Sequence, residues 1–426
     1  MTAIVGTLNR QGVAIAADSA VTFNGSKVVN SGKKVFMLSK KYPVGIATYN
    51  SLNFLTIPWE TIIKMYRAKC LKAKEPPKGK LEEYVNDFVD YLRGLSVHFT
   101  KERQECHLAQ IIDIFVKTIY LYYKDFEPNV TRTAKDRLIA MVTGMKSYYS
   151  NRNKCTEFET YTRAEFDSEI SPTLEKSVDY YNNLTTKLSG QNLKDVQDAI
   201  KDAYFAYIIS QSEISDHTGL IFFGYGDDEI FPSLIPININ LYWNGRIRCY
   251  MDDTKTVTID YNCPSALKSF AQTDVADSLV SGIDSQLASI IYQTYQTGFK
   301  DFAGIVADAM ESAGVPKTDA DRIRNIDVNS ITQRYFDQIK SHVETNYTQR
   351  FINSIDLMGK EDMADLAQSL VSLTGLKRHV TENIETVGGP VDVAVVSKAD
   401  GFIWIKRKHY FDPKLNAQFF NLYNEG

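Results

Sequence analysis

Residues 3 to 17 hold two apolar runs, AIVGTL and VAIAA, separated only by Asn9-Arg10-Gln11-Gly12. A polar turn between two β-rich runs predicts an antiparallel hairpin. Neither run alternates apolar with polar residues, so the pattern points to strands buried on both faces rather than to a sheet with one wet side. Such a hairpin also returns Asp18 and Ser19 beside Thr2 and Ala3.

The remaining chain alternates blocks of strand and helix. A second strand pair is expected at Lys34 to Leu38 and Val44 to Thr48. A helix follows over 52–67, with Leu55, Trp59, Ile62, Ile63 and Tyr66 at helical spacing, closed by a charged loop containing Pro76-Pro77. Further amphipathic helices are expected over 81–95, 108–123 and 193–209, the last with Val196, Ile200, Ala203 and Tyr207 on one face. Strands return at 218–223, 235–242 and 246–251, the latter two joined by the hairpin signal Asn244-Gly245. A short strand over 266–272, a helix over 275–299, polar helices over 300–378 and a hairpin of 391–397 with 402–406 complete the reading. Blocks in this order favour an α+β fold, with helices segregated outside packed sheets, over alternating βαβ units. The expected organisation is a first half at 1–96, a helical insertion at 97–215 and a second half at 216–426.

Bulk properties exclude several classes. With 426 residues, 44% hydrophobic and 23% charged, the chain can bury a sizeable core. A formal net charge of -4 gives no general attraction to nucleic acid or to an anionic membrane. No apolar run reaches the roughly 20 residues of a membrane span, and the start does not read as a signal peptide. Five scattered cysteines without a CxxC pair fit a reducing cytoplasm. Six histidines without HxxxH or HExxH spacing predict no metal site, and no cofactor or nucleotide motif is present. Gly226-Asp227-Asp228-Glu229 reads as a polar turn and Lys406-Arg407-Lys408-His409 as a solvated strand end.

Three residues stand where they can do chemistry. Removal of Met1, which a small second residue permits, would leave Thr2 at the N-terminus. Its hydroxyl is a poor nucleophile alone, but its own α-amine, titrating near 7.7–8.0, can act as the base. Lys34 can supply the nearby positive charge that keeps this amine neutral, and Asp18 can pair with Lys34. Together they form the threonine-with-N-terminal-amine variant of a nucleophile–base pair.

The segment TAIVGTLNRQGVAIAADSAVT, Thr2 to Thr22, resembles the start of mature proteasome β subunits and of the HslV-type peptidase. Gly32-Lys33-Lys34-Val35-Phe36 and Val44-Gly45-Ile46-Ala47 are similar to that family's next strands, and Val387-Gly388-Gly389 to its Ser-Gly-Gly. The resemblance implies the four-layer αββα sandwich of N-terminal-nucleophile hydrolases, here with a helical insertion. It places the nucleophile at Thr2, the aspartate at Asp18 and the lysine at Lys34. It further implies substrate-backbone contact by Thr22, an oxyanion donor at the Tyr49 N–H, and an accessory carboxylate whose nearest match is Glu385. The serine that orients the amine has Gln272 or Thr273 in its region. The implied activity is a threonine endopeptidase acting on peptide or unfolded protein, as a homo-oligomer, with a separate ATPase unfoldase. The other readings are a non-catalytic scaffold and an amidase on a small substrate.

Overall fold

The computed structural model describes residues 2–23, 27–125, 133–185, 193–212, 217–381, 387–409 and 411–418. The chain is a mixture of helix and antiparallel sheet, an α+β protein. It divides into two compact units. The first comprises Met1–Gly32, Ile259–Val395 and Ile403–Tyr410, the second Lys33–Thr258, Val396–Phe402 and Phe411–Gly426.

Among the described residues, the first unit is built on a five-stranded sheet. Its order is Ser265–Ala271, Ala3–Asn9, Gly12–Ala17, Asp392–Ser397 and Gly401–Lys406. The opening hairpin forms as the apolar runs predict, with Asn9 opposite Gly12 and Ile4 opposite Ala17, and every residue of both strands is buried. One face, carrying Ala3, Val5, Ala14 and Ala16, packs on Met363, Ala367, Leu370 and Val371 of the helix Lys360–Thr381. The two polar residues of the first strand are satisfied by helix ends. Thr7 donates to the Met363 carbonyl at 3.0 Å, and Asn9 Nδ2 donates to the Ile355 and Met358 carbonyls, each at 2.9 Å. A buried hydroxyl or amide without such partners would cost about 1–3 kcal/mol, so these bonds select the helix position as much as the apolar contacts do.

The second unit's sheet runs Arg246–Met251, Ser233–Trp243, Thr218–Gly224, Val44–Asn50 and Val35–Met37, with Val257–Thr258 pairing off the path. Asn244 and Gly245 both have positive φ, 49° and 84°, as the hairpin signal requires. Two cores lie on this sheet. Helices Trp59–Ala73 and Leu81–Gly94 bury Trp59, Ile62, Tyr66, Phe88 and Leu92 with Ile46, Phe222 and Ile237. The helices between 101 and 209 build another around Phe115, Tyr149, Tyr204 and Tyr207, joined by Leu241 and Trp243 of the sheet.

Two element expectations are corrected. The helix expected from Leu52 begins only at Trp59 and runs to Ala73, because Pro58 precedes it. A proline ring clashes with a helical residue before it and has no N–H to give the turn, so 53–58 fold instead as the small hairpin Asn53–Phe54 with Ile57–Pro58. The helix expected over 275–299 is broken. Asp274–Ser281 ends at Gly282, whose φ is 73°, and Asp284 caps a new helix, Ser285–Ser312, by accepting from the Gln286 and Leu287 N–H groups. No helix of the described residues is long and apolar enough to cross a membrane.

Candidate functional site

Asp18 follows directly on the second strand, and its carboxylate is the best-held polar group near the start of the chain. Oδ1 accepts the Ala3 N–H at 3.0 Å, and Oδ2 accepts the Ala20 N–H at 3.0 Å and the Gly388 N–H at 3.2 Å. Its own N–H donates to the Ala3 carbonyl at 3.2 Å, and the residue is 1% exposed. Bonds from backbone N–H to an ionised acceptor are among the stronger hydrogen bonds, and three of them fix the carboxylate in place. Ala3 is the residue after Thr2, so this clamp sets where Thr2 lies. Thr2 is itself buried, and its carbonyl accepts the Gln272 N–H at 3.0 Å, tying it to the end of the strand Ser265–Ala271.

A second polar knot lies beside Asp18. Ser19 is buried; its N–H donates to the Gly388 carbonyl at 3.1 Å and its hydroxyl donates to the Pro390 carbonyl. Lys408 Nζ donates to the Ser19 hydroxyl oxygen and, at 2.5 Å, to the Gly32 carbonyl, and pairs with Asp392 Oδ2 at 3.0 Å. The Lys408 N–H also bonds Asp392 Oδ1 at 2.8 Å. Three separated segments, at 19, 32 and 392, therefore converge on the Lys408 ammonium. Lys408, expected in a solvated strand end, is instead part of a largely buried ion pair, and Asp392 and Ser19 had no signal in the sequence that distinguished them from ordinary strand-end residues. An Asp sixteen positions before a Lys across a hairpin turn was the only available hint.

Lys34 belongs to the second unit, just before the strand Val35–Met37, where its carbonyl accepts the Thr48 N–H at 2.8 Å. It is 1% exposed, which is rare for lysine and normally means a paired charge. Its neighbour Lys33 takes the opposite course, forming an ion pair with Glu60 at 2.8 Å near the surface. Tyr49 is in the same unit, opposite Gly219 on the next strand. A Cβ on Gly219 would lie 1.9 Å from the Tyr49 ring, so glycine there is what lets the ring lie flat across the sheet. The Tyr49 hydroxyl meets Asn238 Oδ1 at 3.3 Å. The structure thus brings Thr2 and Asp18 together in the first unit and places Lys34 and Tyr49 in the second. The Thr22 backbone pairs with Val28 in a short ribbon, while its side chain and all of Glu385 lie outside the described residues.

The acidic turn 226–229 is structural. Glu229 Oε2 accepts the N–H groups of Leu81 and Gly226, capping the helix Leu81–Gly94. Among the described residues, Cys70, Glu75 and Asp87 come close enough to share a cation. Their charge is already answered: Lys78 lies 3.4 Å from Asp87 and 3.9 Å from Glu75, and the Tyr66 hydroxyl donates to Asp87 at 2.6 Å. Burial first, with Glu75 and Asp87 adding to it against a hydrogen bond from Tyr66, pushes the Cys70 thiol up to about 11.

No family model matches the chain, and no curated protein does. Among solved structures the chain is similar to Anbu (ancestral beta-subunit) from Yersinia bercovieri, with 8% identity and a TM-score of 0.30 over 99% of this chain and 95% of that one. It is also similar to the Gly-1 mutant of Anbu from Hyphomicrobium sp. strain MC1, with 8% identity and a TM-score of 0.30 over 100% and 96%. A second Anbu structure from that strain gives 9% identity and a TM-score of 0.28 over 99% and 96%. Likeness at this level carries no argument. The resemblance to proteasome β subunits and the HslV-type peptidase is corrected: no family model or curated relative supports it, and the three solved structures named above are Anbu proteins. The physical reason is that most of the matching segment is two buried strands and a turn, a pattern that any doubly covered hairpin imposes on its sequence.

Proposed function

We propose that the chain is a hydrolase whose nucleophile is the hydroxyl of Thr2, freed as an N-terminus by removal of Met1, and that it acts as a threonine endopeptidase. The observation that carries the reading is the Asp18 clamp: a buried carboxylate, bonded to the N–H of the residue next to Thr2, directly after a fully buried strand pair. Its three backbone bonds offset the cost of burying the carboxylate and fix the residue next to Thr2 in place.

In the proposed reaction the Thr2 α-amine takes the hydroxyl proton as Oγ1 attacks a peptide carbonyl, and returns it to the leaving amine. The resulting ester is cleaved by water, with the amine again as base. Lys34 has the role of the cation that keeps the amine neutral, a role supported by its position in sequence and its burial. The reading carries with it the four-layer αββα arrangement, peptide or unfolded protein as substrate, self-association and a separate unfoldase. The test is N-terminal sequencing of the native protein with peptide hydrolysis by wild type and Thr2→Ala. A Thr2 N-terminus, and activity reduced by at least about 10³-fold in a variant that melts like wild type, are expected. Full activity with Met1 retained would remove the proposal.

A further inference from the structure

The helix Ser285–Ser312 in the first unit presents two apolar faces and uses one. On one side Tyr292 meets the Phe336 ring at 5.1 Å, Phe299 stacks on Tyr335 at 5.8 Å, and Ala303 and Ala307 are buried. On the other side a stripe of Leu287, Ile290, Thr294, Gly298, Phe302 and Ile305 runs at helical spacing along about five turns. Leu287, Ile290, Phe302 and Ile305 are 50%, 58%, 66% and 66% exposed. No residue from 285 to 299 is charged, and Lys300 and Asp301 are the only charges within the span of the stripe.

Two features say what covers it. The stripe reads the same from either end: about position 296, Leu287 mirrors Ile305, Ile290 mirrors Phe302, and Thr294 mirrors Gly298. A two-fold contact needs one patch that complements itself, and a stripe with this mirror order does so when two copies lie antiparallel. Gly298, at the middle of the stripe, is the second feature. A Cβ there would meet nothing within 4 Å, so the chain's own packing does not require glycine, although glycine weakens a helix interior. Close approach of another helix does require it.

We infer that this stripe is the contact between two copies of the chain, packed antiparallel with Ile290 of each copy against Phe302 of the other. With Tyr295 at its margin, the open side-chain surface is on the order of 600 Å² per copy, so the pair would bury about 1,200 Å², the lower end of stable specific interfaces. The contact lies within one unit and does not depend on the threonine chemistry.

The test uses the full chain in sedimentation and light scattering. Wild type should contain the pair at micromolar concentration, and Ile290→Lys or Phe302→Asp alone should raise the dissociation constant at least 100-fold. The double variant, which sets each new lysine against the other copy's aspartate, should recover at least ten-fold of that loss. Gly298→Ala should raise the melting temperature of the dissociated chain while weakening the pair. A wild type that remains a single chain at tens of micromolar, or that pairs only with a different protein, would overturn the inference. So would single variants with unchanged mass, or a double variant no better than the singles.

Discussion

At the scale of single residues, the buried acids Asp18 and Asp392 of the first unit sit at strand ends, where the chain turns. Asp18 is held by the backbone N–H groups of Ala3, Ala20 and Gly388. The Lys408–Asp392 pair serves the neighbouring turn, joining Ser19 and Gly32 to the last strands. Side chains that are 13% and 4% exposed make this a buried pair, for which loss of one partner typically costs 3–5 kcal/mol by stranding the other. Lys408→Met and Asp392→Asn should each destabilise the chain on that scale, about 3 kcal/mol, in urea unfolding. Their double variant should cost clearly less than the sum. Additive losses would mean that the two side chains do not act as one unit.

At the scale of elements, caps and breaks decide the boundaries. Pro58 delays one helix, Gly282 ends another, and Asp284 starts the next. The helices Asp274–Ser281 and Lys360–Thr381 are tied by Asp274, which meets Lys377 and Arg378 at 2.7 Å each. Burial pushes the Asp274 carboxyl up, but the hydrogen bond from Lys377 and the charges of Arg378 and Lys377 outweigh it and hold the group below its ordinary 3.8. A carboxyl lowered in the folded state adds stability above its unfolded value, and that stability is lost as pH falls through the lower folded value. Wild type should therefore exceed Asp274→Asn in melting temperature at pH 6, with the difference closing only as pH falls below about 4. A difference that does not change with pH would show that the tie is steric rather than electrostatic.

At the scale of the whole molecule, the helical stretch 97–215 is bound into the second unit's interior. Arg248, on the strand Arg246–Met251, is buried and donates to the carbonyls of Ile208 at 3.0 Å, Tyr207 at 3.1 Å, Ser210 at 2.5 Å and Ser212 at 3.0 Å. These lie at or beyond the C-terminal end of the helix Lys194–Ile209, where carbonyls lack intrahelical partners and a cation is favourable. Leu241 and Trp243 lie in the core those helices build. Deleting 97–215 would strip a buried guanidinium of these four carbonyl acceptors, leaving it Asn240 Oδ1, and uncover both side chains. The deletion variant should be insoluble or lack the cooperative unfolding of wild type by circular dichroism. A soluble, cooperatively folding deletion variant would show that the sheet carries its own stability.

Local chemistry was legible in the sequence wherever one segment decides its own structure. The doubly buried hairpin follows from two apolar runs and a turn, Asn244-Gly245 follows from the positive φ its turn demands, and the face of Val196, Ile200, Ala203 and Tyr207 follows from helical spacing. Asp18 beside Ala3, and so next to Thr2, was legible for the same reason, because antiparallel register around a four-residue turn sets that pairing across the hairpin. The tertiary structure decided what depends on distant segments. Nothing near Lys408 in the chain announces Ser19, Gly32 and Asp392, nothing near Arg248 announces the helix end it caps, and the glycine under Tyr49 stands 170 positions away. A side chain's propensity is set by its own atoms, but whether its charge is solvated or paired is set by whatever the fold brings within about 4 Å.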